Sequence, residues 1–118
     1  MKYLGVDFGL RRIGLAVSEG ELASPWQVVD AKKFSEIIKK NKFEKIVVGL
    51  PEGKMGKKVV GFVNALKKQG FEVETADETL SSRRALEQMI SENIPRKKRR
   101  SNDAAAAAII LQNYLDSK

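Results

Sequence analysis

The chain has 118 residues, 42% of them hydrophobic, and 22 Lys and Arg against 15 Asp and Glu give a net charge of +7. That length fits one domain with one core, and no apolar run approaches the roughly 20 residues that span a bilayer. With no His and no Cys, disulfides, typical zinc sites and Ser-His or Cys-His nucleophiles are excluded. Hydrolytic chemistry would have to rest on carboxylates, lysine, hydroxyls or a hard cation, with Mg²⁺ or Mn²⁺ the natural candidate and no organic cofactor expected.

Tyr3 to Val6 and Ile13 to Val17 are apolar and β-prone, and Gly9 to Arg12 reads as the turn between them. Strand alternation puts Leu4, Val6 and Phe8 on one face and Tyr3, Gly5 and Asp7 on the other. Asp7 then ends the first strand, and Gly5 and Gly9 are close-approach glycines that leave backbone open to a metal or phosphate. An Asp that merely begins a hairpin turn is the plain alternative. The strand pattern begins at once, without the apolar stretch of a signal peptide, so a cytoplasmic location is expected.

Ala23 to Val29 is a third strand, and Pro25 favours an edge position for it. Trp26 and this edge either pack at an interface, as in a homodimer, or complete the core. A helix is predicted over Phe34 to Lys42, then a strand over Lys45 to Leu50, whose continuous apolar run suits burial on both faces. Pro51 stops that strand and Glu52 to Gly56 reads as a loop. A second helix follows over Val59 to Gln69, closed by Gly70. Phe71 to Ala76 returns as a strand, Leu80 to Glu92 as a third helix, and Asp103 to Leu115 as a last helix capped by Ser101 or Asn102. The order is that of an α/β fold: a five-stranded mixed sheet, three antiparallel then two parallel strands, flanked by about four helices in one domain over residues 1–118.

Two more acids join Asp7. Glu78 follows the fifth strand. Asp103 starts the last helix and, at 3.6 residues per turn, shares a face with Ala107, Ile110, Leu111 and Tyr114, which must meet the sheet. Ligands of parallel sheets gather beyond the carboxyl ends of the strands, so these three carboxylates can share one cleft. Their mutual repulsion there calls for a divalent cation. The run Arg96, Lys97, Lys98, Arg99 and Arg100 holds five of the 22 basic residues. It suits phosphate contact or, on the plain reading, a solvated loop. Without an amphipathic anchor, nucleic acid is favoured over a membrane as its partner.

At this point the chain resembles a known family. Gly5-Val6-Asp7-Phe8-Gly9 with Arg11-Arg12-Ile13-Gly14-Leu15-Ala16, then Val47-Val48-Gly49-Leu50-Pro51, Asp77-Glu78 with Leu80-Ser81-Ser82, and Asp103 to Gln112 are similar, in order, to the motifs of the YqgF family. That family is described both as Holliday junction resolvases and as pre-16S rRNA nucleases of the RNase H-like superfamily. The resemblance implies an RNase H-like fold and a nuclease acting on structured RNA (precursor rRNA) or branched DNA. Asp7, Glu78 and Asp103 would be its catalytic and metal-binding acids, with Mg²⁺ or Mn²⁺. Arg11, Arg12 and the Arg96 to Arg100 run would grip the backbone. The family places arginine after the motif glutamate where this chain has Thr79, with Arg83 or Arg84 one turn on. Two other readings compete: a nucleotide-clamping fold of the sugar-kinase and actin type, which needs two domains, and a non-catalytic nucleic-acid-binding or ribosome-assembly module.

Overall fold

Apolar residues spaced two apart turn the first strand into a wall between two cores. The computed structural model describes residues 2–50, 54–77 and 102–117. In it β1 spans Lys2–Asp7, β2 Arg12–Glu19 and β3 Leu22–Asp30, paired antiparallel in succession. A 3₁₀ turn at Ala31–Lys33 leads into α1, Phe34–Lys40. The chain then forms β4 (Lys45–Leu50) parallel to β1, α2 (Lys54–Lys68), β5 (Val73–Asp77) parallel to β4, and α3 (Asn102–Asp116). The strand order is β3-β2-β1-β4-β5, the expected mixed sheet of three antiparallel then two parallel strands. Three α-helices lie among the described residues, and none of them is long and apolar enough to cross a membrane. The helix predicted over Leu80 to Glu92 and the Ser101 cap fall outside the described residues.

The two faces separate as strand alternation requires. Leu4 and Val6 are buried with Ile13, Leu15, Ile46 and Val48 against Phe34 and Ile38 of α1 and Val59, Val63 and Leu66 of α2. On the other face Tyr3, Ala16 and Val47 pack under Ala107, Ala108, Ile110 and Leu111 of α3. Each fully buried Leu, Ile or Val contributes about 1.5–3 kcal/mol, so these two layers hold the sheet between the helices.

Several boundaries differ from the sequence expectation for local reasons. α1 stops at Lys40 because Asn41 turns to extended backbone (φ −113°, ψ 132°); its N–H and its Nδ2 both donate to the Ile37 carbonyl, at 3.2 and 2.9 Å, and close the last turn. α2 starts at Lys54, inside the expected loop; its first turn, Lys54-Met55-Gly56-Lys57, carries no apolar periodicity that would extend the helix back from Val59. It ends in a Schellman arrangement: Gly70 has φ +96°, its N–H donates to Lys67 O at 3.0 Å, and Phe71 N–H donates to Leu66 O at 3.2 Å. Phe71 thereby belongs to the helix end, and β5 begins two residues later. On β3, Pro25 lies on a sheet edge as expected. The β2 residues Leu15 and Ala16 pair with Gln27 and Pro25, which makes Trp26 the extra residue of a bulge. Its ring meets Phe43 edge-on at 6.1 Å and is 37% exposed.

Candidate active site

Asp7 is the last residue of β1, the middle strand of the sheet, and is half-buried. Its antiparallel neighbour is Gly14. The parallel register runs to Val6↔Val48, so one further step sets Gly49 on the other side. No side chain stands on either lateral neighbour of the carboxylate. These two flanking glycines emerge only from strand register, which is why sequence spacing did not single them out.

The two glycines chosen from the sequence have different work. A Cβ on Gly5 would lie 2.7 Å from both the Ala107 carbonyl oxygen and the Leu111 Cβ. Gly5 is thus a close-approach position, but what approaches is α3, and the expectation of a metal or phosphate there is corrected. A Cβ on Gly9 would collide with the Arg12 carbonyl oxygen. Its missing side chain lets the β1–β2 turn close and is likewise not space for a ligand.

The Gly5 contact fixes where α3 delivers its first turn. Tyr114 meets Tyr3 edge-on at 6.3 Å, while Ala107 and Leu111 sit over Gly5, so α3 runs antiparallel to β1. Going back from Ala107 to Asp103 climbs about 6 Å at 1.5 Å per residue. Going from Gly5 to Asp7 climbs about 6.6 Å at 3.3 Å per residue. Position 103 therefore comes level with Asp7 at the same end of the sheet. Gln112 secures this register at the opposite end: its Oε1 accepts from Ala23 N–H at 2.9 Å and its Nε2 donates to Glu21 O at 2.9 Å and Asp116 Oδ1 at 3.0 Å. Nothing in the sequence marked Gln112 as this clamp, because its backbone partners, Ala23 and Glu21, lie 89 and 91 residues away in the chain.

β5 ends at Asp77, opposite Leu50 at the end of β4. Asp77 is two strands from β1, about 10 Å at the usual strand spacing. Glu78 follows it in the chain but lies outside the described residues, as do Thr79, Arg83, Arg84 and the Arg96 to Arg100 run. Among the described residues no group of three acids is close enough to hold a metal. Arg11, in the β1–β2 turn, and Arg12, the first residue of β2, are both exposed at the Asp7 end of the sheet. A separate polar group at the far end is structural. Lys45 Nζ donates to Tyr114 Oη at 3.3 Å and pairs with Glu74 at 3.4 Å, tying α3 to β4 and β5.

The chain matches the RuvX family, described as Holliday junction resolvase, over residues 1–117. It is 34% identical to a protein of Desulforamulus reducens named "Putative pre-16S rRNA nuclease", with 99% of this chain and 98% of that protein covered. A protein of the same name from Endomicrobium trichonymphae is 38% identical, with coverages of 98% and 95%. Among solved structures, the fold is similar to a Fowlpox virus resolvase in complex with Holliday junction DNA (TM-score 0.66, 13% identity, 99% and 98% covered). It is also similar to Thermus thermophilus RuvC with a junction substrate (TM-score 0.59, 18% identity, 99% and 94% covered). At those identities the structural likeness bears on fold, while the full-length family match carries the assignment: this chain belongs to the RuvX family of Holliday junction resolvases.

Proposed function

We propose that residues 1–118 act as one domain, a metal-dependent endonuclease that hydrolyses phosphodiesters in structured nucleic acid, with the 5′ region of precursor 16S rRNA as its substrate. The observation that supports this most is the convergence of Asp7 and position 103, far apart in sequence, at one end of the sheet through the contact of α3 on Gly5. Asp7, Asp103 and Glu78 offer only hard carboxylate oxygens, the donor type that Mg²⁺ and Mn²⁺ prefer. These three would hold the ion, which when bound supplies Lewis acidity and an activated water.

The chain's own part is placement. The carboxylates would hold the cation between two glycines, where no lateral side chain obstructs the approach of the phosphodiester. Arg11 and Arg12, exposed beside the site, and the Arg96 to Arg100 run neutralise backbone phosphates. Such contacts carry no base information, so selectivity follows the shape of the nucleic acid. The names of the similar proteins favour precursor rRNA, and a cytoplasmic location is part of this proposal. A second reading, cleavage of four-way DNA, is favoured by the family description and by the junction complexes of similar fold.

The test compares wild type with Asp7→Asn and Asp103→Asn on precursor 16S rRNA and on a four-way DNA junction, with and without Mg²⁺ or Mn²⁺. Cleavage by wild type only with metal, lost in both variants while their unfolding midpoints hold, is the expected result. Undiminished cleavage in either variant would remove that residue from the site. Binding by wild type without any cleavage would establish the non-catalytic module instead.

A further inference from the structure

Next to the carboxylate end of the sheet lies a cavity of about 310 Å³, formed by Leu10 and Arg11 of the β1–β2 turn and by Asp30, Ala31 and Lys32 where β3 enters the 3₁₀ turn. Its walls are locked together. Ala31 N–H donates to the Arg11 carbonyl at 2.9 Å, and Arg12 pairs with Asp30 in the sheet register. Arg11, Asp30 and Lys32 are exposed, and their side chains have no ion pair or hydrogen bond among the described residues. Leu10 is 60% exposed, although a leucine so open to water gains nothing from that position.

Two unpaired cations beside an open apolar side chain match the two surfaces of a nucleotide: the phosphate and the sugar or base. The place is suitable too. The β3 end of the cavity is two strands from Asp7, about 10 Å, close enough for one nucleic-acid strand to reach both. We propose that this cavity is a phosphate subsite for the nucleic-acid strand beyond the cut, with Arg11 and Lys32 as its binding cations and Leu10 packing on the adjoining sugar or base. It rests on the nuclease reading only in taking nucleic acid as the ligand. Asp30 opposes the phosphate, so the subsite is weaker than its two cations alone would make it.

That last point gives a test that unfolding cannot imitate. Binding of a fluorescein-labelled hairpin RNA is measured by anisotropy in EDTA, across a range of KCl concentrations. Arg11→Gln and Lys32→Gln should each reduce the slope of log affinity against log salt by about 0.7–0.9 and weaken binding about five- to eightfold at 0.1 M salt. Asp30→Asn should instead tighten binding, by on the order of twofold at the lowest KCl, because it removes a like charge from beside the phosphate and salt screens the rest. Lys68→Gln, the same charge change at the far end of α2, should leave the slope unchanged. Equal slope losses at Lys68 and Lys32, unaltered or weakened binding in Asp30→Asn, or no binding by wild type would overturn the subsite. If the slopes behave as expected but wild type with Mg²⁺ cuts nothing, the subsite stands and the nuclease reading falls.

Discussion

Replacing Gly5 by alanine tests the contact on which the site depends. The added Cβ would meet the Ala107 carbonyl oxygen and the Leu111 Cβ, both at 2.7 Å, where a comfortable carbon–carbon separation is about 3.5–4.0 Å. Relief requires α3 to lift by about 1 Å from a face that buries Ala107, Ile110 and Leu111 completely. Overpacking of this kind costs about 1–3 kcal/mol, against about 0.5–1 kcal/mol gained by removing a strand glycine. A net loss of about 1–2 kcal/mol is expected, read as a lower urea midpoint at constant m-value. Trp26, the only tryptophan, serves as the fluorescence probe. Because α3 carries Asp103, a shift of about 1 Å should also cost on the order of 100-fold in cleavage rate. Gly61→Ala is the matched control: it sits inside α2 with nothing within 4 Å of its Cβ position and should stabilise by about 0.5–1 kcal/mol. A Gly5→Ala protein as stable as wild type would refute the close approach of α3 to β1.

Two stability effects of opposite sign follow from the α3 face. Ser18 is 1% exposed and its Oγ has no hydrogen-bond partner among the described residues, so Ser18→Ala should raise stability by about 1 kcal/mol through loss of an unsatisfied buried hydroxyl. A fall of that size in the unfolding free energy would mean that the hydroxyl is satisfied. Gln112→Ala removes the acceptor of Ala23 N–H and the donor to Glu21 O and should cost about 1–2 kcal/mol. Hydrogen exchange checks it locally, since the Ala23 amide should exchange faster while Leu4 and Val48 keep their protection until global unfolding.

Alternation and periodicity made much of this architecture legible. Leu4, Val6 and Tyr3 fell on their correct faces because a strand has a fixed period of two, and the Ala107, Ile110 and Leu111 stripe identified the buried side of the last helix. The mixed sheet followed from element order, since helical crossovers connect parallel strands. What stayed hidden depends on partners distant in the chain. Gly5 looks the same in sequence whether a phosphate or a helix lies over it, and only the crossing of α3 decides. Gly14 and Gly49 become neighbours of Asp7 through register alone. The first turn of α2 has a single large apolar residue, Met55, beside a glycine and so shows no periodicity, and Phe71 reads as strand until its N–H is seen to close a helix. Of the candidate site, Asp7, Arg11 and Arg12 sit at the expected sheet end and position 103 joins them. Glu78 and the basic run belong to the segment outside the described residues.

The packing of α3 on the first hairpin also dictates an order of events during synthesis. Among the described residues, 102–116 form the helix made after all the strands, yet they lie on Gly5, Ala23 and Tyr3 near the start of the chain. Domains fold as units, and contacts this distant in sequence form late. A nascent chain can pair β1 with β2 while its Asp7 still waits about 95 residues for the helix that brings Asp103 alongside. With Asp103 a member of the proposed acidic site, a nascent chain that lacks residues 102–116 is an inert one. An enzyme directed at ribosomal RNA would then acquire its cutting edge only once that helix has emerged and docked on the first hairpin.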